Sequence, residues 1–396
     1  MELSTQQDDL PSSNSPTLQL THPTPDECIK IWTNSWTSWG DSLDLEKYLL
    51  ESQFLTTIPL AEDGGMTIWI LTDKHLPPGQ RPILCSCESF TKRALTSDSD
   101  GNVEEAVIHG IASVFCQSGY RRRGYAARHM KELAKHLHGW QSHKGKIIGS
   151  VLYSDIGKEY YARLGWLPNP TNTHIEFPSS NVSRFSSARL LLENDLPELC
   201  KRDEGMVRAA MATPVLGTQK RLTILPDLEH MLWHIRKEDF ATEHLFGRIP
   251  QAKGAIAGRP GSQVWAIWTH RYYDHPDAKP PDNVLYILRL VAERDDSANK
   301  CSSAEEPRMG GHLHDEQIGC LEAVLQAART EAAEWQLGHV KLWEPSPWVR
   351  DAVTQLNLDH SIVERQDESI ASGMWYDELG EGPLPTWINN EHYCWC

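Results

Sequence analysis

Arg121-Arg122-Arg123-Gly124-Tyr125-Ala126 sets three cations and a glycine between two patterned runs. Before it, Ala106 to Phe115 is apolar and β-branched enough for a buried strand. After it, Met130, Leu133, Ala134 and Leu137 mark one helical face, stopped by Gly139. A strand turning into a helix leaves unpaired backbone N–H groups at the helix start, and the helix dipole adds to their pull on an anion. The chemistry expected of this turn is therefore the seating of a phosphate or pyrophosphate. Gly124 admits the ligand close to the main chain, and the small Ala126 keeps the next turn uncrowded. Taken alone, the same string also reads as a solvated basic turn or part of a localisation signal.

A second segment lies downstream. Ile147 to Tyr153 reads as a strand, Ser154-Asp155-Ile156 as a turn, and Gly157 to Leu164 as a short helix closed by Gly165-Trp166. The spacing R-x-x-G-x-A of the first motif resembles the coenzyme A signature of the GCN5-related N-acetyltransferases, the GNAT superfamily. Tyr160-Tyr161-Ala-Arg-Leu-Gly165-Trp166 is similar to that superfamily's second signature, and both motifs occur in order and in strand–turn–helix settings. The layout further resembles the fungal lysine N-acetyltransferases, which pair an N-terminal acetyltransferase domain with a C-terminal domain. That likeness rests most firmly on His109 to Trp166.

The resemblance implies acetyl-CoA as acetyl donor and a primary amine as acceptor, with the ε-amine of free lysine preferred. It implies that Val114, Phe115 and Cys116 pair with the pantetheine arm through main-chain atoms. Arg121, Arg122, Arg123, Gly124, Tyr125 and Ala126 would seat the pyrophosphate, and Tyr161 would protonate the departing thiolate. Ser154 stands where many relatives carry an asparagine touching the coenzyme. Relatives often place a basic glutamate where this chain has Gly110 or Gly149. His109, with a suitable intrinsic pKa, is the candidate base, set against a structural core histidine and a water relay to Glu88 or to a carboxylate of the second domain. Cys116 as covalent nucleophile is a further alternative. Protein lysine or N-terminal acetylation, and a non-catalytic acyl-CoA-binding protein, stay open as functions.

The chain has 396 residues, enough for two domains. Its net charge of −16 disfavours nucleic acid as a partner and suits attraction of a cationic amine. No secretory signal or apolar run of membrane-spanning length is expected, so neither a membrane partner nor export is predicted. Nine cysteines, an odd count, read as free thiols in a reducing, cytoplasmic setting. Cys85-x-Cys87 and Cys394-x-Cys396 lack the paired spacing of zinc sites, so no metal is expected. Oligomeric state is not legible in the sequence.

The expected fold is α+β: a GNAT fold, with a mixed central sheet flanked by helices, and a second GNAT-like domain in degenerate form. Residues 1–16 read as a disordered N-terminus, 17–180 as the acetyltransferase domain and 188–396 as the C-terminal domain. Ile29, Trp32, Trp36 and Trp39 form a helical stripe that serves either packing or the wall of an acceptor pocket. Thr173 to Phe177 is expected to finish the first domain. In the second, a strand over 283–291, a polar and mobile stretch over 292–316, a long helix to Trp335, a strand over 339–343 and a short helix repeat the order of 107–165. No R-x-x-G-x-A turn accompanies them.

Overall fold

The structure, a computed structural model, describes residues 10–181, 187–215, 217, 220–278, 282–293, 310–356, 358–376 and 385–395. Thr24 starts α1 (Pro25–Trp39) with a capping box, its hydroxyl accepting from the Glu27 amide while the Glu27 carboxylate accepts from the Thr24 amide. Gly40 ends α1, and Asp44 caps α2 (Leu45–Leu55). β1 (Leu18–Thr21), β2 (Met66–Asp73), β3 (Cys85–Asp98) and β4 (Val103–Phe115) follow one another antiparallel. The chain crosses through α3 (Tyr125–Leu137) to β5 (Ile147–Ser154), parallel to β4, then makes α4 (Glu159–Ala162) and β6 (Leu167–Pro168).

The next strand, β7 (Thr173–Pro178), does not finish this sheet as its position in the chain suggests. After β8 (Arg189–Leu191), α5 (Leu196–Met211), β9 (Lys220–Ile224) and α6 (Leu228–Phe246) come β10 (Gly254–Ala257), β11 (Val264–Arg271) and β12 (Val284–Ala292). Then follow α7 (Gly310–Glu334), β13 (His339–Trp343), α8 (Pro347–Gln355), β14 (Ser361–Glu364), β15 (Ile370–Trp375) and β16 (Thr386–Trp387). β7 pairs with β13 and β14 in a second sheet ordered β14-β7-β13-β12-β11-β10-β8. In exchange β15 pairs with β5, from Ile370 against Ser154 to Trp375 against Gly149. β9 and β16 extend the first sheet from β3. Ile175 and Phe177 of β7 are fully buried in the second core. Their apolar alternation fits either sheet, and only the tertiary partner decides.

Residues 10–16 are ordered rather than disordered. The Tyr125 hydroxyl donates to the Pro11 carbonyl at 2.5 Å, and Arg128 donates to the Ser13 carbonyl at 3.0 Å, so this segment lies along the start of α3. The rest of the expected disordered terminus, residues 1–9, lies outside the described residues, as does 294–309 of the stretch expected to be mobile. The remainder of that stretch is the end of β12 and the start of α7.

β12-α7-β13-α8 repeats β4-α3-β5-α4, with β12 and β13 parallel from Val284/His339 to Ile287/Leu342. Beyond that point the two strands part around a cleft of about 720 Å³. There the amide of Leu290 donates to Glu391 Oε2 at 2.8 Å. A side chain of the C-terminal segment thus takes up a main-chain donor of β12.

Candidate active site

β4 and β5 pair from Val107/Ile147 to Ile111/Leu152, and both then run on without pairing to each other. At that point β4 bulges against β3: the register slips between Glu88/Ala112 and Ser86/Phe115, and Ser113 adopts a left-handed φ of +53°. A cavity of about 420 Å³ opens where the strands part. Ile111 to Val114 and Leu152 form its floor, and Trp32 and Trp39 of α1 stand on its wall. Of the tryptophan stripe, Trp36 instead donates its indole N–H to the Leu43 carbonyl, and Ile29 is solvent-exposed. Trp233, Lys237, Arg271 and Trp395 close the cavity from the second half of the chain.

The basic turn lies where β4 feeds α3. Gly124 takes φ +85° at the helix start, and no side chain caps the first amides of α3. Those donors suit a pyrophosphate. Arg121, Arg122 and Arg123 are exposed, and Arg121 Nε donates to the Cys116 carbonyl at 2.9 Å, tying the turn to the end of the splayed strand. The Tyr125 side chain is buried, its hydroxyl held by the Pro11 carbonyl, which leaves only its main-chain amide to face the turn. Val114 lines the cavity, and the Phe115 ring meets Trp39 edge-on at 5.6 Å.

The Ser154 hydroxyl donates to the Gly157 carbonyl at 2.8 Å and accepts from the Ile156 amide at 3.2 Å, and so shapes the turn after β5. Burial pushes the Cys116 thiol above its ordinary range, against the pull of Arg121, which leaves it a poor nucleophile near neutral pH.

Tyr161 stands on the cavity wall, buried to 8 % exposure, while Tyr160 packs edge-on against it at 5.1 Å. Burial, reinforced by Tyr160 and nearby thiols, raises the Tyr161 phenol well above the ordinary tyrosine range. It therefore keeps a proton to give.

His109 is not brought to the cavity. It shares the α3 face of β4 with Ile111, fully buried, with Nε2 3.3 Å from Gln141 Oε1, and burial lowers it to about 4. Glu88 pairs with Ala112 on the opposite face and lines the cavity with Tyr161. His109 lies in the stretch of β4 still paired to β5, whereas Glu88 stands opposite Ala112 at the bulge where the cavity opens. Burial raises the Glu88 carboxyl, while bonds from Ser113 and Trp32 and the charge of Lys237 pull it back down. The two glycines at the family's base positions have packing reasons. A Cβ at Gly110 would lie 2.5 Å from Lys92 Cε, and one at Gly149 would lie 2.5 Å from the Met374 carbonyl oxygen. Trp233, Lys237, Arg271 and Trp395 had no local signal, because their elements meet the site only through the tertiary fold.

Among the described residues, no helix is long and apolar enough to cross a membrane and no cluster of metal ligands occurs.

A family model described as the LYC1 GNAT-like C-terminal domain matches residues 174–396. A lysine acetyltransferase of Yarrowia lipolytica (strain CLIB 122 / E 150) is 23% identical over 290 residues, covering 63% of this chain and 71% of that protein. The uncharacterized protein YGR111W of Saccharomyces cerevisiae (strain ATCC 204508 / S288c) is 23% identical over 165 residues, covering 35% of this chain and 41% of that protein. Among solved structures, a GCN5-related N-acetyltransferase from Kribbella flavida aligns with TM-score 0.46 and 14% identity, covering 90% of this chain and 70% of that one. Saccharomyces cerevisiae N-myristoyltransferase with bound myristoyl-CoA aligns with TM-score 0.49 and 9% identity, covering 93% and 81%. Superposition at that level carries no functional weight.

Proposed function

The chain belongs to the family of the LYC1 GNAT-like C-terminal domain, and on that premise we propose that this GNAT-type acetyltransferase moves an acetyl group from acetyl-CoA to the ε-amine of free lysine. One observation carries the acceptor reading: Tyr161 and Glu88 share a cavity that the second half of the chain closes with Trp233, Lys237, Arg271 and Trp395. A volume of about 420 Å³ walled from both halves of the chain suits a small amine better than a polypeptide. The lysine acetyltransferase relative, at 23% identity, lends the choice of lysine its support. Lysine breakdown rests on the family resemblance, and a cytoplasmic setting on the nine cysteines read as free thiols.

On this reading the pyrophosphate lies on the first amides of α3 at Arg121 to Ala126, and the pantetheine arm pairs with the main chain of Val114 to Cys116. The acceptor enters protonated, since an alkyl ammonium of pKa roughly 10.4 leaves about one molecule in a thousand free near neutrality. Glu88 takes that proton, directly or through one water, and the amine nitrogen attacks the thioester carbonyl in a ternary complex. Main-chain N–H groups at the β4 bulge offer donors to the oxyanion. As the carbon–sulfur bond breaks, Tyr161 passes its proton to the leaving thiolate. The test is thiol release from acetyl-CoA with free lysine, other amines and lysine-containing peptides. Turnover of peptides in preference to lysine would replace this reading with protein acetylation.

A further inference from the structure

Arg271 ends β11 and lines both the acceptor cavity and a small void of about 30 Å³ beside it. One terminal nitrogen lies 2.6 Å from Asp41 Oδ2. Its Nε is buried with no hydrogen-bond acceptor among the described residues. The guanidinium carbon sits 5.2 Å from the ring centre of Tyr273 and 5.7 Å from that of Trp395, which hold the group in place. A guanidinium offers five donors in a rigid planar fork, a shape that matches a carboxylate. Asp41 occupies one edge of that fork, and a buried donor without an acceptor is a bond for a ligand to make. The other cation on the wall, Lys237, is already committed, with its ammonium 2.6 Å from Glu51 Oε2.

The charges around the cavity agree. Glu51, Glu88 and Asp155, with Asp41 paired to Arg271, stand against Lys237 and Arg271, an excess of two carboxylates. An amino acid with a second, remote ammonium carries one net positive charge and complements that wall. We propose that Arg271 binds the α-carboxylate of the acceptor, so that the enzyme selects free amino acids bearing a remote amine over plain diamines and over lysines within a polypeptide. The inference rests on the amine-acetylation reading of this cavity and adds its means of discrimination.

The test measures thiol release by the full-length protein with L-lysine, L-lysinamide and 1,5-diaminopentane. Lysine is expected to exceed both analogues by roughly 10- to 100-fold in kcat/KM, with the difference in KM, the effect of one hydrogen-bonded charge pair. Arg271→Gln should bring lysine down to the level of lysinamide while the KM for acetyl-CoA stays where it was. The wild-type comparison stands by itself should that variant fail to fold. Equal efficiency with lysine and lysinamide would overturn the role of Arg271 and leave amine acetylation intact. Absence of thiol release with all three amines would overturn the amine reading and this inference together.

Discussion

Ser113 donates its hydroxyl hydrogen to Glu88 Oε2 across the β3–β4 pair at 2.9 Å. The same serine is the left-handed residue of the bulge where β4 and β5 part. One residue therefore shapes the cleft and orients the carboxylate inside it. As general base Glu88 works deprotonated, so activity should rise with pH along an acidic limb whose apparent pKa lies above the ordinary 4.5. Glu88→Gln should lower kcat by about 10²- to 10⁴-fold with little change in the KM for acetyl-CoA. Ser113→Ala removes a bond to the charged form and should move that limb to higher pH. A Glu88→Gln enzyme of full activity would remove the residue from this role.

Tyr161→Phe keeps the packing of α4 and deletes the proton. Because the Tyr161 phenol is held above the usual tyrosine range, it stays protonated through pH 10. Wild-type activity should therefore show no basic limb from this group below that pH. The variant should lose about 10²-fold in thiol release and recover part of that loss with acetyl thioesters of more acidic thiols, which need no proton to depart. Unchanged kinetics would mean that the thiolate leaves without Tyr161.

The elements proposed to hold the coenzyme could be read along the chain because their determinants are local. A turn, the helix start after it and a short tyrosine-bearing helix each lie within one continuous segment. The acceptor side could not, because its walls come from α1, β3, α6, β11 and the C-terminal segment, which no local pattern joins. The misplacement of His109 has the same origin. Residue type pointed to it, whereas His109 lies where β4 is still paired with β5, its ring against Gln141, short of the point where the strands part. Likewise the exchange of β7 for β15 depends on sheet partners, and a strand's own alternation carries no information about them.

A buried charge network in the second half gives the molecule a pH-dependent stability. Glu238 accepts from Lys253 at 2.5 Å and bonds His270 Nδ1 at 2.6 Å, while Glu331 lies 3.2 Å from His270 Nε2. Burial alone would lower the imidazole, but Glu238 and Glu331 together outweigh it and raise His270 to about 9. A group raised on folding stabilises fully below its unfolded pKa of 6.5, and that contribution fades as pH climbs through about 9. Chemical denaturation should show a loss on the order of 3 kcal/mol across that window. The loss should be absent in His270→Gln, whose overall stability is lower. Equal slopes in the two proteins would assign the pH dependence elsewhere.

Gly124→Ala tests the anion seat. The residue sits at φ +85°, and an added Cβ would come within 2.8 Å of Ser13 Oγ. A left-handed alanine costs roughly 1–2 kcal/mol. The helix start and the residue 10–16 segment would have to shift. The expected result is a KM for acetyl-CoA raised about tenfold, with kcat and the acceptor KM changed much less, and a matching weakening of coenzyme A binding by calorimetry. An unaltered affinity would place the diphosphate away from this turn.

Lys92 ties β3 to the C-terminal segment. Its side chain runs fully buried over Gly110, and its ammonium donates to the main-chain carbonyl of Cys394, one residue before the Trp395 ring that closes the acceptor cavity. Lys92→Met keeps most of the side-chain volume and removes the donor, leaving that buried carbonyl unmet at a cost of about 1–3 kcal/mol. Freed from this anchor, the 392–395 segment should hold Trp395 less firmly. The acceptor KM should then rise several-fold while the KM for acetyl-CoA stays constant. Amide exchange over residues 390–395 should accelerate in parallel. A variant with lowered stability but an unmoved acceptor KM would show that Trp395 keeps its place without the lysine.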